Sequence, residues 1–299
     1  MSAAASTSIT TYLEEQRLRV DAELERILPG TAEFPASIHQ AMRHSVFAGG
    51  KRLRPILCLE GGRLFGGDES SLLRLGAALE LIHTYSLIHD DLPALDNDDL
   101  RRGQPTCHKA FGEATAILAG DALLTLAFEV IAAPSSSPER RLRLIHELAH
   151  AIGTKDGMVG GQVADLESER QGAGASLVDY IHSAKTGAFI RAAVRSGALD
   201  AGASETDLDC ISAYGAKIGL AFQIADDILD VTGSSAELGK SAGKDDQQQK
   251  ATYPAVHGLG ESRRIAARLV AEACDALSPY GERALRLRQI AQFLIERTH

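Results

Sequence analysis

The amino-acid sequence predicts an all-α protein, and three observations carry that expectation. Apolar residues recur at helical spacing through most of the 299-residue chain. No run of alternating β-branched residues stands between turn signals, so no strand is expected. Alanine is abundant, Trp is absent and aromatic residues make up only 5%, a composition that suits closely packed helices.

The elements follow in order. Thr11-Tyr12-Leu13-Glu14 reads as a capping box that opens a first helix with Leu13, Leu24 and Leu28 among its apolar positions. Pro29-Gly30 stops it. A second helix is predicted over 35–47, ended by Gly49-Gly50, and two Leu- and Ala-rich helices over 55–64 and 71–91. An apolar helix over 115–132 runs into Pro134-Ser135-Ser136-Ser137-Pro138, a surface connection within one bundle rather than a domain boundary. The periodicity resumes over 139–152, 155–170, 176–199, 205–231, 261–277 and 282–296, with a polar, Gly- and Lys-rich loop over 232–249. No repeat recurs at a fixed period.

Composition narrows the function. With 44% apolar and 24% charged residues the chain can bury a core. Asp and Glu number 40 against 31 Lys and Arg, a net charge of −9, which disfavours nucleic-acid binding along an extended surface but allows a local basic pocket. Uninterrupted apolar stretches fall short of the roughly 18–20 residues that cross a bilayer, so no membrane span is expected. Met1 to Thr11 has neither a secretory signal's apolar core nor an Arg for a transit peptide. Cys58, Cys107, Cys210 and Cys274 lie far apart without a CxxC pair, which argues against zinc and against a disulfide framework. A reducing, cytoplasmic location is the expectation.

Two acidic clusters carry chemistry. The first is His89-Asp90-Asp91-Leu92-Pro93-Ala94-Leu95-Asp96-Asn97-Asp98-Asp99, and the second is Asp226-Asp227-Ile228-Leu229-Asp230. Asp226 and Asp230 are four apart, so they share a helix face and repel. Asp90 and Asp96 are six apart; Pro93 ends the helix near Asp91 and lets Asp96 fold back from a loop. Either cluster alone could be an acid-decorated helix end. Two of them, each near the C-terminus of an apolar helix where the dipole disfavours anions, point to a hard divalent cation such as Mg²⁺ or Ca²⁺. The alternating acids and distal Glu of a calcium loop are absent.

Basic residues accompany the acids. Gly49-Gly50-Lys51-Arg52-Leu53-Arg54-Pro55 sets three cations beside a Gly pair, and Arg101-Arg102-Gly103 follows the first acidic cluster. Lys185-Thr186-Gly187 interrupts a helix, and Lys240, Lys244 and Lys250 follow the second cluster. On its own each is more often a solvated surface charge than a ligand. A metal together with Arg and Lys is what a diphosphate requires.

These residues resemble the short-chain trans-isoprenyl diphosphate synthases, nearest to bacterial farnesyl diphosphate synthases. The resemblance rests on the Gly49–Pro55 run, the stretch Glu80 to His108, Leu118-Ala119-Gly120-Asp121, Gly160-Gly161-Gln162, Lys185-Thr186-Gly187, Phe222-Gln223, the second Asp motif and Lys250-Ala251-Thr252-Tyr253-Pro254. It covers nearly the whole chain. It implies a single polyprenyl synthetase domain over 1–299, an antiparallel helical bundle around a deep central cavity, and a homodimer. It also implies three Mg²⁺ ions, which Mn²⁺ could replace, held by Asp90, Asp96 and Asp226 with Asp91, Asp227 and Asp230 in support. Arg101, Lys185, Thr186, Gln223, Lys240 and Lys250 would then meet the allylic diphosphate. Gly50, Lys51, Arg54, His83 and Arg102 would hold isopentenyl diphosphate, with Gly50 allowing a close backbone approach.

The expected reaction is head-to-tail condensation of isopentenyl diphosphate with dimethylallyl and geranyl diphosphate through an allylic carbocation. Thr186 and Gln223 are oxygens suited to steadying that cation, or else a helix-terminal Thr and an exposed Gln. Leu81, Ile88 and Phe222 fit an apolar wall. Tyr85 lies five residues before Asp90, roughly 7.5 Å along a helix, and Ser86 shares the Asp90 face; in the resembling family a bulky residue near this place stops elongation. Geranyl or geranylgeranyl synthesis is the nearest alternative. A terpene cyclase would need no second diphosphate pocket, and a non-catalytic metal-binding subunit would be expected to have lost an Asp motif or its basic partners.

Overall fold

Ser8 opens the first helix, three residues earlier than the capping box suggested: its hydroxyl accepts from the Thr11 amide at 3.1 Å. The computed structural model describes residues 8–133, 137–171, 174–232 and 252–296. Within them the chain is all-α apart from one short hairpin. In order, the helices are α1 Ile9–Ile27, α2 Ala36–Val46, α3 Leu53–Arg63, α4 Glu69–Asp90, α5 Cys107–Phe111, α6 Glu113–Ala132, α7 Pro138–Ile152, α8 Met158–Gln171 and α9 Ala175–Ile181. A π-helical turn, His182–Gly187, then leads into α10 Ala188–Asp200 and α11 Glu205–Thr232. Past the gap come α12 Tyr253–His257, α13 Leu259–Ala276, a 3₁₀ turn Ser278–Ala284 and α14 Leu285–Glu296.

Three features depart from the expectation. A two-residue ladder pairs Leu100 with Pro105 and Arg101 with Gln104, too short to leave a period-two pattern. The helix expected over 176–199 is broken by the π turn at the Lys185-Thr186-Gly187 interruption. Finally, α6 is by length and composition long and apolar enough to cross a membrane, because its few polar residues are single and spaced. One face of it is core: Ala116, Ala119, Leu123 and Ala127 are fully buried, and α4 is its main neighbour.

The core explains where the acids end up. α4 is apolar around its circumference, with Leu72, Leu75, Leu79, Leu81, Ile82 and Ile88 all buried, so it runs through the interior and delivers Asp90 at its C-terminal end. Burying Leu or Ile side chains of this kind contributes roughly 1.5–3 kcal/mol each. A smaller cluster of Val178, Ile224, Ile228, Tyr253 and Ala266 clamps α11 between α9, α12 and α13, and so fixes the second acidic motif.

Candidate active site

A cavity of about 1910 Å³ opens between the two acidic motifs, and both Asp90 and Asp226 line it. The sequence places them more than a hundred residues apart; the fold brings them to one chamber with Arg54, Arg101, Lys185 and Gln223.

The first motif is a helix end followed by a folded-back loop. α4 stops at Asp90, and the Asp96 amide returns to donate to the Asp90 carbonyl at 2.8 Å. The Asp98 amide donates to the Asp91 carbonyl at 3.2 Å. Asn97 takes a left-handed backbone (φ 49°), which Asn tolerates, to turn the loop. Burial, with Asp96 and Asp91 adding repulsion, outweighs the attraction of Lys185 and Arg101 and pushes the Asp90 carboxyl up to about 6. Asp91 is buried and spoken for. Arg101 Nε donates to both its oxygens at 2.9 Å, a fork that the hairpin holds in place.

The second motif stays within α11. Asp226 and Asp227 both border the cavity, Asp227 with its side chain otherwise buried. Asp227 accepts from His182 Nε2 at 2.7 Å, from the Tyr253 amide at 2.9 Å and from Gln223 Nε2 at 3.1 Å. Asp230 is buried on the next turn and also borders the cavity. Among the described residues no three acidic, His or Cys side chains are drawn together as a ready metal cage. The carboxylates stand around the chamber instead, an arrangement in which a bound diphosphate could supply the remaining oxygens.

Basic residues line the same chamber. Arg54 Nε is buried without a hydrogen-bond partner among the described residues, and its guanidinium sits 5.2 Å from the Phe189 ring centroid. Burial pushes Arg54 down to about 10, with Arg102 adding and Glu80 and Asp226 opposing. Burial and then Arg54 and Arg102 also hold His83 well below its ordinary value. A cation with an idle buried donor, beside an imidazole whose protonated form burial and neighbouring cations disfavour, is a pocket suited to an anion. Gly50 belongs to it: its φ is 129°, and a Cβ there would lie 2.5 Å from Arg102 Nη1. Arg102 donates to the Gly49 carbonyl. Lys51 is exposed at the cavity rim.

Not every cation of that run is available to the chamber, although all three border it. Arg52, in a left-handed conformation (φ 52°) at the start of α3, turns into the core and donates to Asp21, Glu80 and the Val46 carbonyl at 2.7–2.8 Å. Lys185 and Thr186 sit on the π turn. Lys185 Nζ pairs with Asp165 at 2.6 Å, and Thr186 Oγ1 donates to Gln223 Oε1 at 2.9 Å. Sequence reasoning missed Asp165 and His182. Gly161 was the available signal: a Cβ there would lie 2.2 Å from the Lys185 amide, so α8 presses onto the π turn and sets Asp165 beside Lys185. Tyr85 is 8% exposed, lines the cavity, and packs edge-on to His89 at 5.8 Å. Burial and the Asp90 charge push its hydroxyl up to about 12. Ser86 also lines the cavity and donates to the His83 carbonyl at 2.8 Å. Lys240 and Lys250 lie outside the described residues.

The sequence profile of the polyprenyl synthetase family matches residues 35–278. The chain belongs to the polyprenyl synthetase family. A dimethylallyltranstransferase of Fischerella ambigua (strain UTEX 1903) is 49% identical over 99% of this chain and 85% of its own length. A geranylgeranyl diphosphate synthase of Cyanophora paradoxa is 46% identical over 98% and 97%. The crystal structure of an FPP/GFPP synthase from Zymomonas mobilis superposes with a TM-score of 0.86 at 40% identity, covering 96% of this chain and 98% of that one. The all-α bundle is therefore that of the short-chain isoprenyl synthases, and the protein is a prenyltransferase.

Proposed function

We propose that this prenyltransferase makes farnesyl diphosphate from isopentenyl diphosphate and the dimethylallyl and geranyl primers, with Mg²⁺ as cofactor. The fifteen-carbon product is supported by Tyr85, a buried aromatic in the cavity wall below Asp90, braced by His89. In this reading the ring is the floor that stops elongation at fifteen carbons.

Asp90, Asp96 and Asp226 fit a hard cation: they are carboxylates at one chamber, and Asp90 is driven toward protonation by burial and acidic neighbours that a cation would offset. Bound Mg²⁺ would neutralise the diphosphate leaving group as a Lewis acid. Lys185 and Arg101, with Lys240 and Lys250, meet the same diphosphate. Arg54, Lys51, Arg102 and His83, at the Gly50 approach, hold that of isopentenyl diphosphate. As the allylic C–O bond breaks, the double bond of isopentenyl diphosphate attacks the allylic carbon, and the departing diphosphate takes the proton then lost. Phe222 and Leu229 keep the chamber wall apolar, so that water does not quench the cation.

A twenty-carbon product is the second reading. The relative named a geranylgeranyl diphosphate synthase and the generous cavity volume favour it. Chromatography of products from both primers decides: farnesyl diphosphate from the wild type and longer chains from Tyr85→Ala support the Tyr85 floor, whereas geranylgeranyl diphosphate from the wild type overturns it. We also propose a homodimer through α6, whose Ile117 and Leu118 remain 45% and 58% exposed; a monomer by light scattering would contradict this.

A further inference from the structure

A chain of hydrogen bonds runs from the buried side of α11 to the cavity, and each link constrains the next. Asp227 Oδ2 accepts from the Tyr253 amide, a donor that cannot be reversed, and from His182 Nε2. His182 Nδ1 is buried with no hydrogen-bond partner among the described residues, so the hydrogen is best placed on Nε2, facing Asp227. The Tyr253 ring lies 5.2 Å from the His182 ring, and its hydroxyl donates to Asp179, which anchors the Tyr253 side chain. The other oxygen, Asp227 Oδ1, then accepts from the Gln223 amide nitrogen at 3.1 Å. A carboxylate only accepts, so the amide must present its nitrogen to Asp227 and its oxygen to Thr186. The Thr186 hydroxyl hydrogen is thereby committed to Gln223 at 2.9 Å. What Thr186 offers the cavity is lone pairs, the polarity that an electron-poor carbon needs.

We propose that His182 is a positioning residue for prenyl transfer, which by holding Asp227 orders the Gln223 amide and so fixes Thr186 as an acceptor toward the allylic carbon. This relay rests on the reading of the chamber as the condensation site. It explains why a buried imidazole sits on the π turn that carries Thr186, three residues before Lys185. It also assigns Asp227 a part distinct from that of Asp226.

The test is a double-mutant cycle between His182→Leu and Thr186→Val, scored by kcat, by KM for geranyl and isopentenyl diphosphates, and by the fraction of primer released as alcohol. Calorimetric binding of inorganic diphosphate with Mg²⁺ reports the metal site independently of turnover. Each single variant is expected to lower kcat about tenfold and raise the alcohol fraction, the size of one well-placed hydrogen bond, and His182→Leu, which touches no substrate, should keep both KM values and diphosphate binding within about twofold. The double variant should be no slower than Thr186→Val, and His182→Gln, which keeps a donor, should recover most of the loss. Should His182→Leu not fold, Asp227→Asn serves: its amide nitrogen would turn the Gln223 amide around, with the same fall in kcat and the same masking by Thr186→Val. A slowed Thr186→Val with additive losses in the double variant, or no rescue by Gln, overturns the relay alone. An unchanged kcat in Thr186→Val overturns the relay together with the placement of Thr186 at the reacting carbon.

Discussion

The first aspartate motif leaves its helix, whereas the second remains inside one, and the two solve the same electrostatic problem differently. At the first, Pro93 and Asn97 turn the chain so that Asp96 returns to Asp90, and the crowded charge is met from outside by the Arg101 fork on Asp91. At the second, the neighbouring carboxylate Asp227 is taken into the core and satisfied by His182, Gln223 and the Tyr253 amide. In each motif one carboxylate of the adjacent pair is tied up by neighbouring donors, Asp91 by Arg101 and Asp227 at the chamber wall by His182, Gln223 and the Tyr253 amide, while the other lines the chamber. The lesson is that an Asp-Asp pair is a division of labour, not a doubled ligand.

That division predicts a ranking of effects. Asp90→Ala and Asp226→Ala should each cost about 10³-fold in kcat, since each removes a carboxylate facing the leaving group; steady-state kinetics would break the comparison if either were near wild type. Stability should separate the other two. Asp227→Ala leaves buried donors unanswered and should cost about 3 kcal/mol by urea denaturation, against about 1 kcal/mol for Asp91→Ala, whose partner Arg101 is partly exposed and can hydrate. Equal losses would show that the exposure of Arg101 does not soften the loss of Asp91. Arg101→Lys keeps the charge but loses the fork, and should slow turnover about tenfold with little change in melting temperature. Smallest is Thr252→Ala, which removes the hydroxyl accepting from the Ala255 amide at the start of α12 and should cost about 1 kcal/mol, read from the melting temperature.

Much of this was legible in the sequence because the signals were local. Helical spacing placed the long helices within a few residues, Pro93 announced the end of α4, and Lys185-Thr186-Gly187 marked the break that became a π turn. The hairpin escaped because two residues per strand carry no periodicity. Arg52 looked equivalent to Lys51 and Arg54, yet its left-handed backbone at the start of α3 turns it inward to Glu80; composition cannot reveal which way a cation faces. His182 and Asp165 were missed for a different reason. Their meaning lies in partners 45 and 20 residues away, contacts that only the packing of α8 and α11 on the π turn creates.

The central claim is that both motifs serve one chamber closed by Tyr85, and product analysis tests it most directly. Purified protein with Mg²⁺, isopentenyl diphosphate and geranyl diphosphate should release inorganic diphosphate only when both substrates are present and yield a fifteen-carbon diphosphate. Release from geranyl diphosphate alone, or a twenty-carbon chain as the main product of the wild type, would contradict it.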